Sequence, residues 1–188
     1  MSWLAPHWLG VFYCASEVAL SLWKRASSSS TTSADQGSIR LLWLVILASV
    51  TATMFVEPAT PWAHVDALRV LRPLWFVLFA LSIGLRWWSI VHLGRFFTVD
   101  VAIARDQHVV DDGPYRFVRH PSYTGALGAF LFYGLARAHW LTTLMLILPI
   151  GAAFLRRIAI EEAALTAGLG EPYRAYAART QRLIPFIY

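Results

Sequence analysis

The chain has 188 residues, 57% of them hydrophobic and only 14% charged, with a formal net charge of +5 at pH 7. A soluble domain carries about a quarter charged residues, so this composition excludes an ordinary soluble protein and points to an integral membrane protein whose length allows one domain. The positive charge is not a nucleic-acid signal, because the arginines are spread along the loops and form no basic tract.

A membrane helix needs roughly 20 apolar residues. The first such stretch is 3–23, closed by Lys24 and Arg25. Its Cys14 is the only cysteine and reads as a small apolar residue. Met1 to Pro6 lacks a positive segment and no small-residue cleavage site follows, so no cleavable signal peptide is expected. Residues 26–37 are rich in Ser and Thr and read as a flexible loop. The second stretch is 39–56, ended by Glu57-Pro58, and a polar loop with Pro61, His64 and Asp66 follows. The third is 71–93, with Pro73 tolerable in its first turn. A long polar segment, 94–121, comes next. Residues 122–136 and 140–155 are expected to form a tight helical hairpin with a short first arm. Its second arm continues past the membrane through Leu165, to be stopped by Gly168 and Gly170. Pro172 suits the first turn of a last short helix, 173–182.

The expected fold is therefore all-α and polytopic, with about five transmembrane helices and a C-terminal cytosolic helical cap. Nine Trp and seven Tyr suit a chain that meets two membrane interfaces. With five spans, Lys24, Arg25, Arg40, Arg95, Arg105, Arg116, Arg119 and every basic residue from Arg156 onward share one side. Only Arg69, Arg72 and Arg137 lie on the other. That bias predicts the N-terminus outside and the C-terminus in the cytosol, with the charged clusters around Arg119 and Arg157 on one face.

Arg157 and Glu161 are four apart and share a helix face. They read either as a surface ion pair or as two ligand contacts, Glu161 for a cation or a ribose hydroxyl and Arg157 for an anion. Glu162 points about 100° away and is expected to be supporting or solvated. His120 precedes Pro121, so it is biased to extended backbone and a helix starts just after it. A helix start there would attract an anion. The six histidines show no metal-ligand spacing, so no metal is expected. Tyr115, Tyr123, Tyr173 and Tyr176 read as aromatic walls or as interfacial anchors. Arg86, late in the third stretch, reads either as an intramembrane charge with a function or as a side chain that snorkels to the interface. Neither a Rossmann glycine fingerprint, a P-loop nor a G-x-S-x-G occurs.

Several of these residues fall into a pattern. Leu93-Gly94-Arg95-Phe96-Phe97-Thr98, Gly113-Pro114-Tyr115 with Arg119-His120-Pro121-Ser122-Tyr123-Thr124-Gly125, Arg157-x-x-x-Glu161-Glu162-x-x-Leu165, Gly170-Glu171-Pro172-Tyr173-Arg174-Ala175-Tyr176 and Leu183-Ile184-Pro185-Phe186 stand in order over about the last hundred residues. This set resembles the isoprenylcysteine carboxyl methyltransferase family. Membrane phospholipid N-methyltransferases and some sterol-type reductases look similar over the same region.

The resemblance implies S-adenosylmethionine as methyl donor, held by residues 94–188 beside the membrane helices of 1–93 in one integrated unit. Carried over residue by residue, it puts the cofactor against Gln107, His108, Val109 and Val110, then Tyr115, His120, Pro121, Ser122 and Tyr123, and against Glu161. It makes Arg157 the substrate-contacting and catalytic arginine. Asp111-Asp112 departs from the family, where many members have small or hydroxyl residues, and the register near Asp100 is open. The implied acceptor is lipophilic, foremost an isoprenylcysteine-like carboxylate. The implied location is a membrane, the inner membrane of a bacterium or the endoplasmic reticulum of a eukaryote, with the site facing the cytosol. A carboxylate is already ionised at pH 7 and needs only an orienting cation, whereas an amine needs a base, for which the sequence offers Glu162 or His120. The alternatives are a phospholipid or small-thiol methyltransferase, a nicotinamide-dependent membrane reductase using Arg116, Arg119, Arg156 and Arg157, and a non-catalytic scaffold.

Overall fold

A computed structural model describes residues 37–97 and 106–185, and ahead of them Gly10, Phe12, Tyr13, Ala15, Ser16, Glu17 and Leu20. The rest of the first expected span, Cys14 included, the loop before Gly37, the Asp100 position and Phe186 lie outside the described residues. Helix α1 spans Ser38–Ala59, α2 Asp66–Val70, α3 Arg72–Leu93, α4 Pro121–Ala136, α5 Trp140–Leu169 and α6 Glu171–Arg179. The seven described residues from Gly10 to Leu20 are helical as well. Among the described residues β-structure is limited to two isolated bridges, His64 with His139 and Val118 with Gln181.

Three of these helices, α1, α3 and α5, are long and apolar enough to cross a membrane. The 16 residues of α4 rise about 24 Å, short of a hydrocarbon core of roughly 30 Å. Helix α1 is built inside out. Its buried positions are Ser38, Leu42, Ser49 and Thr53, while Leu47, Met54 and Phe55 are 64%, 69% and 72% exposed. Small polar residues facing the protein and large apolar ones facing outward suit a lipid solvent, in which leucine gains nothing by packing inward.

Proline and glycine set most of the helix ends. Pro73, Pro121 and Pro172 each sit in a first turn, where a missing N–H costs nothing. Gly170 ends α5 at φ 64°, so the helix passes Gly168 and reaches Leu169, one turn beyond the expected Leu165. Helix α1 runs through Pro58 to Ala59, past its expected end. The last helix starts sooner than expected and stops at Arg179, because the chain beyond it is held by another segment. The Arg119 and His120 amides donate to the Gln181 and Arg182 carbonyls at 2.8 and 3.0 Å, and Thr124 Oγ1 donates to the Leu183 carbonyl at 2.7 Å.

The far end of the helices is tied by polar bonds. Thr142 N–H donates to His139 Nδ1 at 3.2 Å, so the His139 proton sits on Nε2 and donates to the Thr60 carbonyl at 2.9 Å. Glu57 pairs with Arg137. In the centre, Phe79, Phe130, Leu146, Ile150 and Phe154 form the core.

Candidate cofactor and acceptor site

The site is built on the segment before α4. Gly113 has φ 54°, and a Cβ there would lie 2.7 Å from the His92 ring, so only glycine lets this turn close onto α3. Behind it Tyr115 is buried. Its hydroxyl donates to the Ser89 carbonyl of α3 at 3.2 Å, and Tyr176 of α6 donates to the Tyr115 carbonyl at 2.7 Å. The segment is strapped between membrane helix and cap.

Glu162 holds this strap to α5. One carboxylate oxygen accepts from Arg119 Nε at 2.8 Å and lies 3.1 Å from His120 Nε2, while the other accepts from Arg182 Nε at 2.9 Å. Its side chain is 13% exposed, so of the two expectations for Glu162 the supporting one holds and the solvated one does not. The helical wheel places it away from Arg157, but the cap and the chain's last residues cover that second face of α5. The His120 imidazole stacks on Tyr123 at 5.5 Å and 7°. The helix start after it offers an anion fewer amides than most. Pro121 lacks an N–H, and the amides of Tyr123 and Thr124 already bond the His120 carbonyl at 3.0 Å.

Tyr123 joins the two charges that the sequence paired. Arg157 Nε donates to the Tyr123 hydroxyl at 3.0 Å, and that hydroxyl donates to Glu161 Oε2 at 2.7 Å. Arg157 Nη1 also donates to Ser38 Oγ of α1 at 2.9 Å. Arg157 is buried at 4% exposure, which excludes a surface ion pair.

These residues bound a polar pocket. Gln107, His108, Val109, Val110, Tyr115, His120, Ser122, Tyr123, Arg157 and Glu161 all line it. Pro121 does not; it is buried behind the helix start. Arg119, Tyr173, Tyr176 and Leu165 stand in the walls as well, and Phe96 and Phe97 add apolar lining. The buried Tyr173 hydroxyl finds no hydrogen-bond partner among the described residues, although a buried polar atom nearly always has one. An orphaned phenol on a pocket wall fits a polar ligand there. Phe97, Tyr123 and Arg157 also line a second, smaller cavity with Glu17 and Arg86. That neck shares Tyr13, Glu17, Trp43 and Ile46 with an apolar cavity of about 290 Å³ between α1, α3, α4 and the N-terminal segment.

The model of the isoprenylcysteine carboxyl methyltransferase (ICMT) family matches residues 74–167, half of the chain. The chain belongs to this family. The protein-S-isoprenylcysteine O-methyltransferase of Schizosaccharomyces pombe is 37% identical over 105 residues, 53% of this chain and 43% of that protein. Protein-S-isoprenylcysteine O-methyltransferase B of Arabidopsis thaliana is 35% identical over 114 residues, 55% of this chain and 53% of that protein. The solved structure of the eukaryotic intramembrane Ras methyltransferase ICMT superposes with a TM-score of 0.63 at 27% identity, over 77% of this chain and 52% of that one. This chain thus spans about half the length of these relatives. The family match ends before Gly170, so the motifs of the cap and the C-terminus lie beyond it.

In this family member the two departures at Asp111 and Asp112 are both partnered. Asp111 pairs with Arg179 of α6. Asp112 pairs with His92 at 2.7 Å, and that hydrogen bond holds its carboxyl below the usual carboxylate range. Burial raises the phenols of Tyr115 and Tyr173 and pushes Tyr176 up to about 12, so all three stay protonated. Arg86 does not snorkel. It forms a forked pair with Glu17, Nε to Oε1 at 2.5 Å and Nη2 to Oε2 at 2.6 Å. The two side chains are only 12% and 8% exposed. Glu17 escaped notice because a single carboxylate inside an apolar stretch leaves no periodic signal.

Proposed function

We propose that the chain is a membrane methyltransferase that moves a methyl group from S-adenosylmethionine to the carboxylate of a prenylcysteine-like acceptor. One observation carries this reading: Arg157 and Tyr123 stand in a wall shared by a polar pocket and the neck of an apolar cavity, and Tyr123 links them to Glu161 on the pocket side. The donor set suits the cofactor. Glu161, 29% exposed at the pocket, matches its cationic groups, tyrosine faces match the sulfonium, and the Tyr173 hydroxyl awaits a polar partner. The bound cofactor supplies an electrophilic methyl group.

The protein's own part is placement. The apolar cavity takes the lipid chain and leaves the carboxylate at the neck, where Arg157 orients it. No base is required, since a carboxylate is ionised at neutral pH. An amine acceptor would need one, and both candidates are engaged, His120 and Glu162 with each other and Glu162 with two arginines. The reductase reading weakens on the same ground. Arg116 and Arg156 are exposed and off the pocket, while Arg119 is bonded to Glu162 and Arg157 to Tyr123. The reading includes five spans, an outer N-terminus and a pocket facing the cytosol, supported by the arginine bias and by the helical residues from Gly10 to Leu20.

The test is transfer of a labelled methyl group by purified protein in lipid nanodiscs to a farnesylated cysteine acid, a phospholipid or a small thiol. The expected product is an ester, recognised by release of labelled methanol in alkali. Arg157→Lys keeps the charge but loses the planar fork. Its transfer should fall at least about tenfold with cofactor affinity nearly intact. Label that resists alkali, or full transfer in the lysine variant, would refute the reading.

A further inference from the structure

Arg86 lies about two turns inside the end of an apolar membrane helix and is buried there, where a charge is costly and usually marks function. Buried ion pairs are weak stabilisers, and apolar replacements often do as well. The place of this pair is what matters. Both members line the neck, together with Tyr123 and Arg157, and Glu17 also borders the apolar cavity. Glu17 takes two N–H groups of Arg86, and a third, on Nη1, donates to the Ser122 carbonyl at 3.2 Å. A guanidinium has five such donors. Two, one on each terminal nitrogen, therefore have no bond among the described residues. Glu17 fixes the plane of the fork and stops it reaching for the interface, as a long unpaired cation would.

The charged side chains that line the neck are Arg86 and Arg157 against Glu17, a net positive set, with Glu161 on the pocket side of Tyr123. Resting on the acceptor reading above, we propose that Arg86, clamped by Glu17, is a second acceptor-binding cation: together with Arg157 it takes the carboxylate of the acceptor, and so selects the free acid over the neutral methyl ester. Methylation removes the charge that the fork recognises, and the product lets go. The apolar cavity binds acid and ester alike, so discrimination between them rests on the neck.

The probes are a farnesylated cysteine acid and its methyl ester, with binding to protein in nanodiscs measured by competition and cofactor affinity measured separately by calorimetry. Wild type should bind the acid more tightly. The double variant Glu17→Gln/Arg86→Met removes both charges together and strands neither. Its acid-to-ester preference should drop about tenfold or more, the loss expected for one charge-assisted hydrogen bond, while ester and cofactor affinities hold. An unchanged preference, or an equal loss for acid and ester, overturns the proposal and leaves the pair a structural strut. Should the double variant fail to fold, Arg86→Lys decides: a reduced preference supports the fork and a wild-type preference overturns it. If wild type binds cofactor but neither probe, the acceptor reading itself has failed, and the proposal with it.

Discussion

Glu161 and Glu162 are adjacent carboxylates with opposite tasks. Glu161 faces the pocket, where its Oε2 accepts from the Tyr123 phenol and lies 4.0 Å from His120 Nδ1, and on the proposed reading it takes the cofactor. Glu162 faces away and holds two arginines and a histidine. Glu161→Gln should weaken cofactor binding about 10- to 150-fold, one buried charge-assisted bond, with thermal stability unchanged. Glu162→Gln leaves buried arginine charge uncompensated, a loss of about 3 kcal/mol, and should lower the melting temperature sharply. Swapped outcomes in binding and melting experiments would reverse the two roles. The sequence made Glu161 legible because Arg157 lies one turn before it. It hid Glu162, because a helical wheel knows nothing of the segments that fold over its other face.

Packing of α3 against α4 decides whether the neck exists. A Cβ on Gly125 would come within 2.6 Å of the Ser82 carbonyl and 2.8 Å of the Arg86 nitrogen, both backbone atoms that cannot turn aside. Small residues allow such contact between membrane helices. Gly125→Ala should force α3 and α4 apart, lowering both melting temperature and acceptor affinity. Gly84, on α3 itself, has nothing within 4 Å of its added Cβ. Gly84→Ala should be neutral or raise stability by up to about 1 kcal/mol through helix propensity. Equal effects of the two substitutions on melting would refute the close approach. The helix ends were readable from Pro73, Pro121, Gly170 and Pro172, whose backbone limits are local. The partners were not, since a helix apolar on all sides carries no stripe to say which face meets which neighbour. The end at Arg179 was unreadable for another reason: it depends on the pairing of residues 118–120 with 181–182, distant in sequence.

Across the whole molecule the helices carry two polar ends of different character. One gathers Arg40, Arg95, Arg116, Arg156 and the arginines of α6, and it holds the pocket. The other has Arg69, Arg72 and Arg137, of which Arg137 is neutralised by Glu57. That the clusters around Arg119 and Arg157 share an end was predicted from span counting, and the bond from Arg119 to Glu162 brings them together. The uneven distribution orients a chain in its membrane with the basic end inward. Two exposed positions report it: Asp66, whose side chain is 91% exposed at the sparse end, and Arg174, 60% exposed in the cap. Each can be made the sole cysteine in a Cys14→Ser background, and losing one arginine of many leaves the bias intact. In sealed cells a membrane-impermeant thiol reagent should label Asp66→Cys directly and Arg174→Cys only after permeabilisation. The opposite pattern would invert the molecule and move the pocket out of the cytosol. Labelling of both from one side would mean that α5, which connects the two ends, does not cross the membrane.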